Sequence, residues 1–200
     1  MMLRRLEEKD APLMLEWMHD EDIVRNMKAD FKSKTIEDCE NFISAATRDY
    51  DIIAASDDSD SDGAVEKLSV AATGSRDDRI GRNLHLAITD SSDEYLGTVS
   101  LKHIEKDSAE FGITIRKKAM GHGVSISAMN EILKIGFEKL GLSNVFWCVN
   151  PENVRALKFY DKNGFDRVEL SDTEKEKLID DGVYNISEIS NYIWYQVVRK

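Results

Sequence analysis

The sequence has little cysteine, and the two cysteines present indicate neither a metal site nor a redox motif. Cys39 and Cys148 are the only cysteines among 200 residues, and they lie far apart with no CxxC or Cys/His spacing. Two ordinary reduced thiols of a cytoplasmic protein are the favoured interpretation, because disulfides are rare in that compartment. A nucleophilic Cys148 is the alternative, without support elsewhere in the sequence. We therefore predict no bound metal.

Long apolar runs are also missing. No run approaches the roughly 20 residues that a membrane-spanning helix needs. The opening, MMLRRLEEKDAP, lacks the apolar core of a signal peptide. These absences predict a soluble, cytoplasmic protein that has no membrane partner.

Positive charge is scarce. The chain has 27 lysines and arginines against 38 aspartates and glutamates, for a net charge of −11. Phosphate backbones select basic surfaces, so we expect no nucleic-acid partner. An anionic cofactor is still compatible with this charge, because a few backbone N–H groups and one or two local cations can hold a pyrophosphate.

Length and composition predict one domain over residues 1–200, with a single core drawn from the 42% of hydrophobic residues. Residues 55–82 interrupt it. The acidic, low-complexity run at 56–63 cannot bury enough surface to order itself, although the apolar residues 68–72 could add a strand or a turn. A flexible acidic insertion is the favoured interpretation, and a lid over a ligand site is the alternative.

The first 50 residues predict one strand and two helices. Residues 2–6 alternate weakly, as a short edge strand does. A helix is predicted to start at Asp10 and to reach about residue 27. Thr35 and Asp38 have the spacing of a capping box, with Asp in place of the usual Glu or Gln, and predict a second helix to about residue 50.

From residue 83 the pattern is rich in strands and predicts the α+β class. Strands at 84–89, 95–103 and 109–115 have short connections, which favours an antiparallel meander. The remaining predicted elements are a helix at 124–139, a strand at 144–149, a helix at 153–162, a strand at 165–170, a charged helical stretch at 171–181 and a strand at 192–198. The strand, helix and strand around 110–149 imply a locally parallel pair. We expect one mixed, mostly antiparallel sheet flanked by helices.

A glycine-containing turn joins the strand at 111–115 to the helix at 124–139, and it has the design of an anion site. Glycines at 121 and 123 let the backbone approach a ligand closely. The first N–H groups of a helix have no partners within it, and the helix dipole favours negative charge there. The pattern alone fits an ordinary turn equally well. It contains neither the Gly-Lys-Ser/Thr of a phosphate-binding loop nor the third glycine of a dinucleotide fingerprint.

A second pattern lies downstream and is more specific. Five residues fall at the spacing Asn-x-x-Ala-x-x-x-Tyr-x-x-x-Gly-Phe, namely Asn153, Ala156, Tyr160, Gly164 and Phe165. The chain resembles the GNAT superfamily of N-acetyltransferases in this pattern. The opening at 3–10 is similar to the branch that includes ribosomal-protein N-terminal and amino-sugar acetyltransferases. The resemblance covers about 2–50 and 83–198, and it implies a single GNAT-like domain with splayed central parallel strands.

The resemblance implies acetyl-CoA as cosubstrate. The family motif Arg/Gln-x-x-Gly-x-Gly/Ala, aligned with Gly123 as its first glycine, places Met where the family has Arg or Gln and Ser where it has Gly or Ala. Backbone groups of β-strand residues 113–115 are implied to pair with the pantetheine amides. The implied cofactor-binding residues are Ile113, Thr114, Ile115, Met120, Gly121, His122, Gly123, Val124, Ser125, Asn153, Ala156 and Tyr160.

Two residues are implied to act in catalysis. Tyr160 matches the family tyrosine that protonates the departing thiolate, a role that suits a phenol because it stays protonated at neutral pH. Glu110 matches a glutamate that deprotonates the ammonium of the acceptor, often through water. His85 and His103, on neighbouring strands, are the alternative bases.

The implied reaction is direct acetyl transfer in a ternary complex, with a small-molecule amine or a protein N-terminus as acceptor. A nucleotide-linked amino sugar is the alternative acceptor, and a non-catalytic acyl-CoA-binding module is the alternative of another class. The sequence is compatible with a monomer or a homodimer.

Overall fold

A computed structural model describes residues 1–55, 76–180, 182 and 184–199. These residues group into two compact units, Met1–Val145 with Arg199 and Phe146–Val198. Most of the predicted acidic insertion, including the apolar residues 68–72 and the proposed lid, lies outside the described residues. What is described of its end is a short 3-10 helix, Arg76–Arg79.

The larger unit contains four strands, which are β1 (Met2–Arg5), β2 (Leu84–Thr89), β3 (Tyr95–Lys102) and β4 (Ser108–Ile115). They are adjacent in that order, and each pair is antiparallel. The predicted edge strand and the predicted meander are both confirmed. The register sets His85 opposite Ser100 and Lys102 opposite Glu110. Ser100 and Lys102 are two residues apart in β3 and therefore face the same way. These two side chains and their partners across the sheet, His85 and Glu110, thus share one face.

In the described part of the chain before β2 there are three α-helices, namely α1 (Ala11–Met18), α2 (Glu21–Val24) and α3 (Ile36–Ala55). The prediction of one continuous helix over 10–27 was wrong, because the segment forms two separate helices. Asp20 has extended backbone and accepts a hydrogen bond from the amide of Asp22 at 2.9 Å, so it ends one helix and caps the next. Asp10 precedes α1, but its carboxylate binds the Arg4 guanidinium through two 2.8 Å hydrogen bonds and does not cap the helix.

The helix α3 begins as the sequence predicts and ends later. The Thr35 hydroxyl and the Asp38 carboxylate cap each other's amides reciprocally. The helix then continues to Ala55, five residues past the predicted end, because Ile53 and Ala54 are fully buried and extend its apolar face. This face packs in a core with α1 that also includes Ala87 and Tyr95 of the sheet.

The helix after β4 is α4 (Val124–Lys134), and it continues into a π-helical turn, Ile135–Lys139. Gly136 sits in that turn, where an added Cβ would lie 3.2 Å from the Leu101 side chain and 3.3 Å from that of Leu142. The helix thus approaches β3 closely. The predicted helix at 124–139 is confirmed in extent, with a change of winding near its end.

The smaller unit combines helices with a short sheet. Strand β5 (Asn144–Val149) enters it, and its further elements are α5 (Val154–Lys162), β6 (Asp166–Val168), α6 (Asp172–Asp180), α7 (Ile186–Asn191) and β7 (Ile193–Val198). Strands β6 and β7 pair antiparallel. The sequence did not predict α7, which begins with a capping box of Asn185 and Glu188. Both units mix antiparallel strands with helices, which confirms the α+β class.

Candidate functional site

The turn between β4 and α4 exposes backbone. Gly121 and Gly123 have φ angles of +81° and +76°, a region that other residues enter at a cost. An added Cβ at either glycine would meet nothing within 4 Å, so the space beside the turn is open. Gly123 is the N-cap of α4, and no side chain caps the helix there. The first amides of α4 therefore lack the usual capping partner, as an anion site requires.

The side chains around this turn also allow a second register for the cofactor motif, beside the one aligned on Gly123. Met120 is half-buried and packs against the core formed by α1 and α3, so its side chain anchors the turn. If Gly121 is the motif's first glycine, both glycine positions are filled by residues with positive φ, and Lys118 takes the Arg/Gln position. The Lys118 ammonium pairs with Glu94 and is 48% exposed. The motif aligned on Gly123 starts at Met120 and therefore does not include Lys118.

The other predicted residues of the turn lie at the start of α4 or beside it. His122 is exposed between the two glycines, and Val124 and Ser125 are half-buried in the first helical turn. On β4, the segment Ile113 to Ile115 pairs with β3 on one side. The two strands are close there, because a Cβ on Gly97 would lie 2.2 Å from the carbonyl oxygen of Thr114.

Arg116 fixes where the turn begins. It is 4% exposed, and its guanidinium donates to the Glu16 carboxylate at 2.6 and 3.1 Å and to Glu94 at 2.9 Å. A further 2.9 Å bond goes to the carbonyl oxygen of Tyr95. A buried guanidinium with this many partners is a rigid joint between α1, the β2–β3 turn and the end of β4. No local pattern in the sequence indicates this role of Arg116, because its partners are distant in the chain.

Glu110 is a buried carboxylate that lies between the Lys102 ammonium and the His103 ring. It is 5% exposed. Lys102 Nζ lies 2.5 Å from one oxygen, and His103 Nδ1 lies 3.1 Å from the other. His103 has a φ of +47°, in the left-handed region that is unusual for residues other than glycine. Its amide donates to Asn83 Oδ1 at 2.9 Å, which supports that backbone conformation.

His85 lies on β2, on the same face of the sheet. Its Nδ1 is 2.7 Å from the Ser100 hydroxyl, and its ring packs against Phe42. Burial, with the nearby Lys102 charge as a second cause, lowers the pKa of His85 to about 4. An imidazole with so low a pKa is a weak proton acceptor, which disfavours His85 as the base.

In the smaller unit, Asn153 caps α5. Its side-chain oxygen accepts a hydrogen bond from the amide of Ala156 at 3.1 Å. This contact explains the Asn-x-x-Ala spacing, because an N-cap side chain reaches the amide three residues on. The capping role and the implied contact with acetyl-CoA are compatible.

Tyr160 lies one turn further along α5 and is 6% exposed. Its ring is surrounded by the aromatic rings of Trp147, Phe159, Phe165 and Tyr195, at centroid distances of 5.1 to 6.0 Å. Burial raises the pKa of Tyr160, so its hydroxyl stays protonated at any physiological pH. The motif residue Phe165 is thus one wall of the pocket around this ring.

The predicted residues therefore fall into two groups, each described within its own unit. The turn, strand residues 113–115 and Glu110 belong to the larger unit. Asn153, Ala156 and Tyr160 belong to the smaller one. Among the described residues, no group of three His, Cys, Asp or Glu side chains is placed to hold a metal ion. None of the described helices has the length and apolarity that crossing a bilayer requires.

Comparisons with known proteins identify the family. A family model described as an acetyltransferase (GNAT) domain matches residues 1–166. The acetyltransferase PseH of Campylobacter jejuni is 33% identical over 73 residues, which are 36% of this chain and 45% of that protein. The chain thus spans less than half the length of the curated relative that it matches.

Solved structures match over nearly the whole chain. A spermidine N-acetyltransferase from Vibrio cholerae, in complex with CoA and spermine, is 17% identical with a TM-score of 0.64, covering 98% of this chain and 94% of that one. A GNAT-family acetyltransferase from Bacillus anthracis is 16% identical with a TM-score of 0.60, covering 98% and 93%. At these identities the likeness shows a shared fold.

Proposed function

Because this chain belongs to the GNAT acetyltransferase family, we propose that it transfers the acetyl group of acetyl-CoA directly to a primary amine in a ternary complex. The observation that carries the proposal is the open turn at Gly121 and Gly123, which offers uncapped helix amides to an anion. Holding both reactants in one site supplies much of the rate of such a reaction.

Acetyl-CoA is the cosubstrate, and it supplies the acetyl group as a reactive thioester. The amides of the turn and of Val124 and Ser125 would hold its diphosphate, with the Lys118 ammonium as the local cation. The backbone at 113–115 would pair with the pantetheine amides. His122 would contact the phosphates from the exposed side of the turn.

Tyr160 would protonate the departing thiolate. The aromatic rings around it fix the phenol, and burial keeps its proton in place. A neutral hydroxyl held in one orientation is the donor that a leaving thiolate requires. Asn153 and Ala156 would support it by fixing the start of α5 and by contacting the cosubstrate.

Glu110 would receive the proton that the acceptor ammonium must lose before it attacks. The neighbouring Lys102 favours the ionised carboxylate, because an opposite charge stabilises it. A buried, ionised carboxylate can accept a proton during the reaction, because little solvent is present to compete for that proton.

The acceptor is proposed as a small-molecule amine or a peptide N-terminus, and the net charge of −11 favours cationic amines. A nucleotide-linked amino sugar is the second candidate. The strand at 109–113 and the opening of the chain, which resemble the amino-sugar branch, favour it. Spermidine belongs in any test, because the similar fold from Vibrio cholerae was solved with spermine.

Release of free CoA thiol tests the proposal. The enzyme is incubated with acetyl-CoA and, in turn, spermidine, a nucleotide-linked amino sugar and a peptide with a free N-terminus. We expect thiol release with at least one acceptor and a mass increase of that acceptor by one acetyl group. A thermal shift with acetyl-CoA but no turnover with any amine would instead identify a non-catalytic acyl-CoA-binding module.

A further inference from the structure

Glu110 is poorly placed to return a proton to water. Its side chain is almost fully buried, and its contacts include the Lys102 ammonium and the His103 ring. A base that turns over must discharge its proton before the next substrate arrives. The route out of a buried carboxyl group runs through a hydrogen-bonded partner that reaches solvent.

His103 has the geometry of that partner. Its Nδ1 is 3.1 Å from Glu110 Oε2, and its side chain is 48% exposed, against 6% for that of Glu110. Lys102 is a second partner, but an ammonium is already fully protonated and cannot accept a proton. Imidazole both accepts and releases a proton near neutral pH.

The backbone at His103 is held in a costly conformation that aims the ring. A φ of +47° is unfavourable for a residue with a Cβ. The amide of His103 is fixed by Asn83, whose own amide donates to the Asp49 carboxylate at 3.1 Å. The next residue, Ile104, donates its amide to the Arg82 carbonyl oxygen at 3.0 Å. These contacts maintain the conformation.

The charged and titratable groups around His103 come from four neighbouring elements. Glu110 on β4 contacts the His103 ring, and Lys102 on β3 pairs with the same carboxylate. His85 on β2 stays neutral at neutral pH because burial lowers its pKa to about 4. Asp49 on α3 acts on the same region through Asn83 and Arg82.

From this geometry we propose that His103 is a proton-relay residue that carries the substrate proton from Glu110 to solvent. The N–H bond of the ammonium breaks, and its proton passes to the Glu110 carboxylate. His103 Nδ1 takes this proton, and the imidazolium releases its Nε2 proton to water. The neutral ring then exchanges tautomers with solvent, and Glu110 is ionised again. The inference rests on the proposed acetyl transfer.

The test uses His103→Asn and His103→Gly, both compatible with a positive φ. Asn keeps a polar contact for Glu110 but cannot relay a proton, and Gly leaves a space that free imidazole can enter. We expect kcat to fall about 10²-fold in both variants, the lower end of what one acid–base group contributes. KM for acetyl-CoA should stay within about 2-fold, because His103 lies outside the turn.

Rescue by imidazole separates a relay from a structural role. Added imidazole should restore kcat in His103→Gly, and the rescue should grow as pH rises and more imidazole is neutral. It should not rescue Glu110→Gln, which lacks the first acceptor. His19→Gly is the matched control, because its exposed ring bonds only the Lys34 carbonyl. It should keep wild-type kcat with or without imidazole.

Two outcomes overturn the relay, and they are distinguishable. If the wild type turns over and His103→Asn keeps wild-type kcat across pH, or if imidazole fails to rescue a folded His103→Gly variant, the relay fails while the acetyl transfer stands. If the wild type shows no turnover with any amine, the proposed function fails and the relay with it. Thermal unfolding of each variant establishes that it is folded.

Discussion

The turn at 120–123 and the pocket around Tyr160 place their functional groups in contrasting ways. The turn presents backbone to open space, and its shape depends on the φ angles of Gly121 and Gly123. The pocket presents one hydroxyl from a buried ring, and its shape depends on four aromatic neighbours. The first should be sensitive to conformational strain, and the second to the loss of a single atom.

The sharpest test of this contrast is Tyr160→Phe, which removes one oxygen and keeps the packing. We expect kcat to fall by about 10²-fold or more, because a general acid typically contributes 10²–10⁴-fold. The Kd for acetyl-CoA should change little, since the turn is untouched. Rates from thiol release and Kd from calorimetry measure both.

The matched control for that change is Tyr195→Phe. Its ring belongs to the same cluster, but its hydroxyl donates to the Asp161 carboxylate at 2.9 Å. Loss of that bond should lower stability by about 1 kcal/mol and leave kcat near wild type. Equal kcat losses in the two variants would mean that the hydroxyl of Tyr160 has no special role.

Burial of the His85 imidazole should make the stability of the protein depend on pH. The pKa of His85 is lowered from 6.5 to about 4 in the folded protein. Between those values the unfolded chain binds the extra proton, so stability should fall as pH drops from about 6.5 towards 4. The shift corresponds to about 3 kcal/mol at most.

Denaturant unfolding at pH 7 and pH 4.5 measures that dependence. His85→Gln should flatten it, while His122→Gln, at an exposed position on the turn, should leave it unchanged. An identical pH slope in wild type and His85→Gln would show that the imidazole is hydrated and titrates normally.

The open turn should respond to strain. Gly123→Ala forces a side chain into a left-handed conformation, at about 1–2 kcal/mol. We expect KM for acetyl-CoA to rise roughly 10-fold, because the amides of the turn shift, with kcat at saturation less affected. Initial rates over a range of acetyl-CoA concentrations measure this.

Gly141→Ala is the control for strain alone. Gly141 has a φ of +66° and nothing within 4 Å of an added Cβ, but it follows the π-helical turn at the other end of the α4 segment. It should lose similar stability and keep its KM. A KM unchanged in both variants would remove the turn from the binding site.

The smallest effect is expected for Asn153→Ala, which removes the cap of α5. The lost hydrogen bond to the Ala156 amide should cost about 1 kcal/mol of stability. Asn185→Ala, which uncaps α7, is the control for stability without a role in the site. If Asn153 also contacts acetyl-CoA, only Asn153→Ala should raise the KM for it.

The sequence predicted those features whose cause is local. The capping box depends on Thr35 and Asp38, which are three positions apart. The meander depends on short connections between successive strands. The break at Asp20 was missed, because the apolar pattern continued across it and only the capping geometry ends the helix.

The sequence predicts candidate site residues where they follow a motif, and it does not predict contacts between distant residues. Arg116 gains its role from Glu16, 100 residues earlier, and the pairing of Lys102 with Glu110 depends on strand register. Lys118 lies two residues before the motif aligned on Gly123, and its pairing with Glu94 joins two turns that are distant in the chain. Tertiary contacts of this kind leave no local trace in a sequence.

The contacts of Arg116 also affect how the chain folds during its synthesis. Its partner Glu16 is synthesised 100 residues earlier, and β1 must wait for β2 to find its only described strand partner. The apolar face of α1, with Met14, Trp17 and Met18, therefore stays uncovered by the sheet while the intervening chain leaves the ribosome. Non-local pairing slows folding and exposes such surfaces to association. Yield at high expression rates should accordingly depend on chaperone supply more than the stability of the finished protein would suggest.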